Sequence, residues 1–386
     1  MEGNENLAIG ILDSLSNSKN IGRIDVISSL RKSCIRYSNQ ITSYQYFNSA
    51  SDHDYLNWIH KTQKLYQSDL LIPVFEKEMH LVTKYQQIIE QFIRIIPVPD
   101  YHQFKIALNK KSLAEFAVEH DLPMPKTISL KDYRLFNPDL KFPVMVKHEA
   151  QYGGSKVHKI NGEPELNTLL STCEDDDYII QEYIEGIDFS CNVLYDHRKL
   201  VAHTIQKSIF REKEFTMSIA VAFLEDERLI QMVDEVMKKL AWNGIANIDV
   251  RYEPETDRYW LIEINPRFWG NHIASLISAN VNFPLLLVHQ AYNISGTPGE
   301  KKAENFMFLT KYLKFRLKYL FNFPLNLSIY NTNYRHFLSD PWPQVYISFR
   351  HYYQLLRKLL HLKPQAPPEL VPSRKCSDNN SVVHAP

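Results

Sequence analysis

Apolar residues recur along the chain in three different rhythms, and each rhythm predicts a different kind of element. Helical spacing, with three or four residues between apolar positions, runs from Lys110 to His120 through Leu113, Phe116 and Ala117. It returns from Leu229 to Leu240 through Met232, Val233, Val236 and Met237. The first of these helices is stopped by Asp121-Leu-Pro-Met-Pro125, because proline lacks the N–H a helix needs. Short unbroken apolar runs predict buried strands at Leu7 to Leu12, at Asp69-Leu-Leu-Ile-Pro-Val74 ending near Glu76, and at Phe142-Pro-Val-Met-Val-Lys147. Alternation on both sides of a turn signal at Pro254 to Asp257 predicts a β-hairpin over Ala246 to Pro266. One more strand, Asp177 to Ser190, is broken at Glu185-Gly186 and then resumes.

Residues 1–99 thus read as a small α/β domain, and strands, turns and short helices follow from Phe142 to Ala274. Residues 300–362 are basic and aromatic, and the stretch from Pro364 to Pro386, rich in Pro, Ser and Asn, reads as a disordered tail. With 386 residues the chain has the length of two or three domains. Its 44 basic and 44 acidic residues cancel, so no overall field draws it to nucleic acid. Cys34, Cys173, Cys191 and Cys376 are scattered without a Cys-x-x-Cys pair, which argues against a zinc site or a disulfide scaffold. No apolar run approaches the ~18 residues a membrane span needs, and the acidic N-terminus lacks the pattern of a signal peptide, so the expected location is the cytoplasm.

Candidate chemistry concentrates in the middle. If the hairpin turns at Thr256, Asp249 faces Glu263 across the ladder. Two carboxylates with Cβ atoms ~5 Å apart repel unless a cation or proton lies between them. Asn265 shares their face, while Ile248, Val250, Ile262 and Ile264 point the other way into a core. Two carboxylates and an amide oxygen describe a Mg²⁺ site, against the plainer reading of a solvated hairpin face. Arg267, just past the strand, adds a planar cation suited to phosphoryl or carboxylate oxygens.

Phe142 to Lys147 delivers one lysine, and Gln151-Tyr-Gly-Gly-Ser-Lys156 supplies the only adjacent glycine pair, so Gly153, Gly154 and Ser155 suit a phosphate nest as well as an ordinary turn. No Gly-x-Gly-x-x-Gly follows the first strand, which weakens any dinucleotide-binding reading. At Gln181 to Asp188 a strand-turn-strand offers backbone groups and Glu182 to an adenine edge, or is a plain turn with solvated acids.

In this order the segments resemble the ATP-grasp superfamily, and within it the carboxylate-amine ligases, from about Asp69 to Ala291. The resemblance implies a small Rossmann-like N-terminal domain (1–99), then an ATP-grasp domain (100–299). In that domain two α+β lobes, about 110–185 and 186–299, clamp ATP; a helical C-terminal appendage (300–362) and a tail (363–386) follow. Asn109-Lys110, with Asn where relatives carry Asp, implies a first phosphate-binding lysine at Lys110 and a second at Lys147. Gln181, Glu182, Tyr183 and Ile184 would hold adenine, and Asp188 the ribose. Glu263-Ile-Asn-Pro-Arg267 implies Mg²⁺, with Mn²⁺ as an alternative, on Asp249, Glu263 and Asn265, and a catalytic role for Arg267. Lys207 and Arg211 remain alternatives for a third phosphate contact.

The implied reaction joins a carboxylate to an amine through an acylphosphate, releasing ADP and phosphate. The competing expectations are an ATP-grasp carboxylase or kinase, and a nucleotide-binding module without turnover. His272 reads as a supporting histidine and not a catalyst. Trp342 to Leu362 reads either as an appendage packed on the body or as a basic amphipathic helix for a membrane surface or partner. A homodimer is the expected oligomer.

Overall fold

The structure is a computed structural model that describes residues 5–16, 18–48, 51–136, 138–149, 157–172, 177–211, 218–296, 298–300, 302–319 and 327–360. Two antiparallel sheets organise it. The smaller has four strands in the order Thr127–Ser129, Tyr178–Glu182, Val144–His148 and Val157–Ile160. The larger has six, in the order Arg258–Asn265, Gly244–Glu253, Ile187–Asp196, Lys199–Phe210, Ala220–Leu224 and Asn305–Met307. The last of these lies within 300–362, the stretch expected as a helical appendage, and pairs Ala220 with Met307 and Val221 with Phe306.

The central strands of the larger sheet send alternate residues to two different places. Phe189, Cys191, Val193, Tyr195, Ala246, Ile248 and Val250 enter a core closed by the helix Glu227–Lys239, whose Leu229, Val233, Val236 and Met237 are buried. That helix is capped by Asp226, which accepts from the Leu229 amide. On the opposite face Leu194, Ala202 and Ile245 join a second core with the N-terminal helix Glu5–Ser16. Further along the same face the residues turn polar: Asp188, Ser190 and Asn192 on one strand, Asn247, Asp249 and Arg251 on the next. One face of one sheet is therefore a core at one end and a polar floor at the other.

Several expectations are corrected. Leu7 to Leu12 is not a strand but part of the helix Glu5–Ser16, since Leu7, Ile11 and Leu15 recur at i, i+4 and i+8 and are all buried. Asp69 to Val74 gives a strand of only two residues, Leu70–Leu71, half-buried and parallel to Arg94–Ile95, after which Glu76 opens a helix. The hairpin does pair Asp249 with Glu263, but its register shifts immediately afterwards, so Val250 faces Leu261 and not Ile262. The bulge sends Leu261 into the core and leaves Ile262 half-buried against the cavity described below, contrary to its expected core position.

The helices Lys110–Glu119 and Glu227–Lys239 form as the spacing predicts. Cys34 and Cys191 are buried free thiols. Cys173, Cys376, the glycine loop with Gly153, Gly154 and Ser155, and the expected tail fall outside the described residues.

Candidate active site

A cavity of about 1350 Å³ lies between the two sheets and the N-terminal elements, and its floor is the polar end of the larger sheet. Asp249, Glu263, Asn265, Arg267, Lys110, Lys147, Gln181, Glu182, Tyr183, Ile184 and Asp188 all line it. These residues come from both sheets and from the start of one helix, and are brought together from 158 positions of chain.

Asp249 and Glu263 sit opposite one another as the hairpin count requires. Burial penalises charge on both. At Glu263 the charges of Lys110 and Lys147 outweigh that penalty and hold the carboxyl low. At Asp249, burial and then the charge of Glu263 push the carboxyl well above its usual range, against a 3.1 Å bond from the Ser190 hydroxyl. In physical terms the pair shares a proton where no cation separates it. Lys110 Nζ lies 3.1 Å from Glu263 Oε2. The residue that precedes it, Asn109, caps the helix by accepting from the Ser112 amide at 2.9 Å and faces Glu149 with its own amide nitrogen at 3.3 Å. The Lys110 amide donates to the Glu149 carbonyl. The lysine is thus anchored at a helix start, with its buried side chain paired to Glu263.

Lys147 reaches across the smaller sheet to Gln181 Oε1 at 2.8 Å, and Gln181 in turn donates to Thr127 at 3.0 Å. Burial lowers the Lys147 ammonium to about 8, with Lys110 adding to the fall and Glu263 and Asp249 opposing it. Arg267 spans three partners: Glu76 at 3.7 Å, the Phe268 carbonyl at 2.8 Å and Asn265 Oδ1 at 3.3 Å. Because its oxygen faces Arg267, Asn265 turns its amide nitrogen toward Glu263 Oε1 (3.3 Å) and Asn247 (3.4 Å). Serving a cation beside Glu263 requires that amide to rotate. Glu76, which sequence reasoning did not single out for chemistry, has its carboxyl raised by burial, with Arg267 and Lys110 opposing.

Tyr178–Glu182 belongs to the smaller sheet and Ile187–Asp196 to the larger, so residues 183–186 form a crossing between the lobes. A Cβ on Gly186 would lie 2.0 Å from the Tyr252 carbonyl oxygen, which explains glycine at this point of contact. Asp188 does not present an unengaged carboxylate: Arg251 holds one oxygen at 2.7 Å and Arg211 the other at 2.5 Å. Arg251 also lies 5.3 Å from the Tyr183 ring centroid, and Lys159 3.8 Å from it. Sequence reasoning missed Arg251, although counting two residues on from Asp249 places it on the same face. Of the two alternatives for a third cation, Arg211 lines the cavity, whereas Lys207 alternates to the opposite face from Gln206 and Ser208, which line it. His272 is buried and its imidazole is pushed down to about 4 by desolvation, so it stays neutral beside the Trp269 carbonyl.

Among the described residues no group of three or more His, Cys, Asp or Glu is arranged to hold a metal. The donor set here is two carboxylates with neighbouring amides, which leaves further positions for phosphate or water oxygens.

Comparison with known proteins agrees in direction. Residues 174–311 match a family described as ATP-grasp in the biosynthetic pathway with Ter operon. D-aspartate ligase of Enterococcus faecium (strain Aus0004) is 27% identical over 223 residues, covering 51% of this chain and 53% of that protein, so the chain spans about half the length of that relative. N5-carboxyaminoimidazole synthetase from Staphylococcus aureus, solved with ADP, superposes with a TM-score of 0.65 at 15% identity over 85% of this chain and 87% of that one. The biotin carboxylase domain of Hydrogenobacter thermophilus 2-oxoglutarate carboxylase, solved with MgADP and bicarbonate, gives 0.61 at 15% identity, over 77% and 70%.

Proposed function

We propose that this chain, an ATP-grasp protein of the carboxylate-amine ligase-like kind, spends ATP to join a carboxylate to an amine. The observation that carries the reading is the Asp249–Glu263 pair with Lys110 on one of its oxygens. Two carboxylates held opposite one another at an energetic cost, on a cavity floor that also holds Lys110, Lys147 and Arg267, form a receptor that awaits a divalent ion and phosphates. A Mg²⁺ ion bound there would neutralise phosphate charge and align the terminal phosphoryl group.

The chain's own residues would do the rest. Lys147 and Lys110 are within the cavity as compact charges for phosphate oxygens, and Lys110 would exchange Glu263 for phosphate if that carboxylate held a metal ion. Glu182, Tyr183 and Ile184, on the crossing between lobes, form the adenine edge. Asp188 meets a ribose hydroxyl on giving up one of its two arginines. Arg267 faces the acceptor side from Glu76 and stabilises the oxyanion that forms when the amine attacks an acylphosphate. The N-terminal arm of the cavity sets Leu7, Ile11, Ile24 and Val26 beside Glu5, Arg23 and Asp25, so a substrate entering there meets both apolar and charged walls.

The test is thermal unfolding with and without MgATP, followed by ADP release from pools of acids and amines. A nucleotide at 100 times its Kd adds about 2.7 kcal/mol. Loss of that stabilisation in both Glu263→Ala and Lys147→Ala, with amine-dependent ADP release by the wild type, supports the reading. ADP release that follows bicarbonate in place of amine favours a carboxylase, and nucleotide binding without turnover favours a binding module.

A further inference from the structure

The C-terminal helix Trp342–Leu359 has two apolar sides, and only one is occupied. Pro343, Tyr346 and Arg350 face the body: Tyr346 is fully buried with its ring 4.5 Å from that of Tyr37, and Arg350 pairs with Glu5. The other side is a stripe at alternating three- and four-residue spacing, Trp342, Val345, Phe349, Tyr352, Leu356 and Leu359. Five of these are exposed, Leu359 by 76% and Tyr352 by 70%, and Leu355 and Leu360 widen the stripe at its far end. At ~1.5 Å per residue it extends about 27 Å.

Charge decides what covers it. The helix contains no acidic residue, and neither does the earlier helix Leu309–Lys318, which exposes Leu313, Leu317, Lys314 and Lys318. Between Lys301 and Leu360 ten lysines and arginines stand against Glu304 and Asp340, in a chain with net charge zero. Asp340 is itself buried, holding Ser38 and the Asn39 amide. A second copy of this helix would bring more basic residues and no carboxylate to offset them. No single helix among the described residues is long and apolar enough to cross a bilayer. An exposed aromatic and leucine face whose only charged neighbours on its helix are basic instead matches the interfacial zone of an anionic bilayer, where apolar side chains sink to the acyl boundary and basic ones meet phosphate headgroups.

We propose that the helix Trp342–Leu359 lies flat on an anionic lipid surface and seats the protein there. The experiment is flotation of the full-length chain with vesicles of phosphatidylcholine alone or with one-third phosphatidylglycerol, in low and high salt, alongside light scattering. The expected result is binding only to the anionic vesicles, weakened by salt. Leu355→Glu/Leu359→Glu should reduce partitioning at least tenfold. Lys314→Glu/Lys318→Glu/Lys358→Glu should reduce it by about fivefold for each charge removed. Both variants alter only exposed side chains, and their melting temperatures, read without nucleotide, should match the wild type. Equal binding to neutral vesicles, no binding to either, or a dimer that Leu355→Glu/Leu359→Glu splits into monomers would overturn the proposal. None of these readouts depends on the ligase reading.

Discussion

Two clusters of partly buried charge, one where the C-terminal helix docks on Glu5 and one on the cavity floor, are built in opposite ways. Where the C-terminal helix docks, Glu5 accepts from both Arg350 and the Cys34 amide, and although burial pushes its carboxyl up, those partners outweigh it and hold it below its usual value. Every charge in that pair has its counterpart. On the cavity floor, Asp249 faces another carboxylate, Lys147 loses proton affinity to burial, and Asn265 shows the wrong end of its amide to Glu263. A satisfied cluster holds structure together, whereas a frustrated one stores a preference for something that is not protein.

Substitutions should separate the two. The largest effect expected is on turnover: Glu263→Gln should lower the rate of ATP consumption by about three orders of magnitude, with the melting temperature nearly unchanged. Wild-type rates in that variant would place the metal elsewhere. Next, Arg350→Ala strands the Glu5 carboxylate, and because Arg350 is about one-third exposed the cost should be roughly 2 kcal/mol, below the range for a fully buried pair. Chemical denaturation reads that loss, and the stabilisation by MgATP should survive it. A nucleotide response that vanishes with Arg350 would join the two clusters into one.

Third, Asp249→Asn should stabilise the nucleotide-free protein by about 1 kcal/mol at pH 8 while removing its response to MgATP. The sign follows from a native carboxyl raised to about 8: the native state binds the extra proton, so this contribution is complete below the unfolded value and is lost as pH climbs through 8. Asp13, buried against Gln40 and pushed up to about 7, adds a slope of the same sign at lower pH. The decline between pH 7 and 8 is therefore the part that Asp249→Asn, or added Mg²⁺, should flatten. The smallest effect is at Lys147. Its lowered ammonium means that the unfolded state binds more protons between pH 8 and about 10.5, so its contribution to the stability of the free protein rises across that window. Lys147→Met should remove that rise in pH-dependent denaturation, and gain a few tenths of a kcal/mol at pH 7 given the partial exposure of the side chain.

How much of this was legible beforehand follows from which signals survive local irregularity. The opposition of Asp249 and Glu263 was readable because the register counts true up to that pair, and the bulge comes one residue later. Ile262 was not readable, since an extra residue in one strand leaves no mark on the alternation until the fold is known. Leu7 to Leu12 misled because so short an apolar run suits a buried helix as well as a strand. Arg251 falls on the Asp249 face by period-two counting, but its role depends on Asp188 of the neighbouring strand, which only the assembled sheet sets beside it. The pairing of Arg211 and Arg251 with one carboxylate joins chain segments forty residues apart, and only the assembled sheet reveals it.

The shared face of the larger sheet has a consequence for how such a protein changes its chemistry. Leu7, Ile11 and Leu15 of the first helix pack into one core with Leu194, Ala202 and Ile245, so the elements that shape the substrate arm are not a detachable module. Exchanging residues 5–99 for those of a relative would open that core and unseat the strands that carry Asp188 and Asp249. The lining of the cavity is therefore altered by replacing wall residues one at a time, and a lineage that starts from this scaffold changes by small steps and does not leap by recombination.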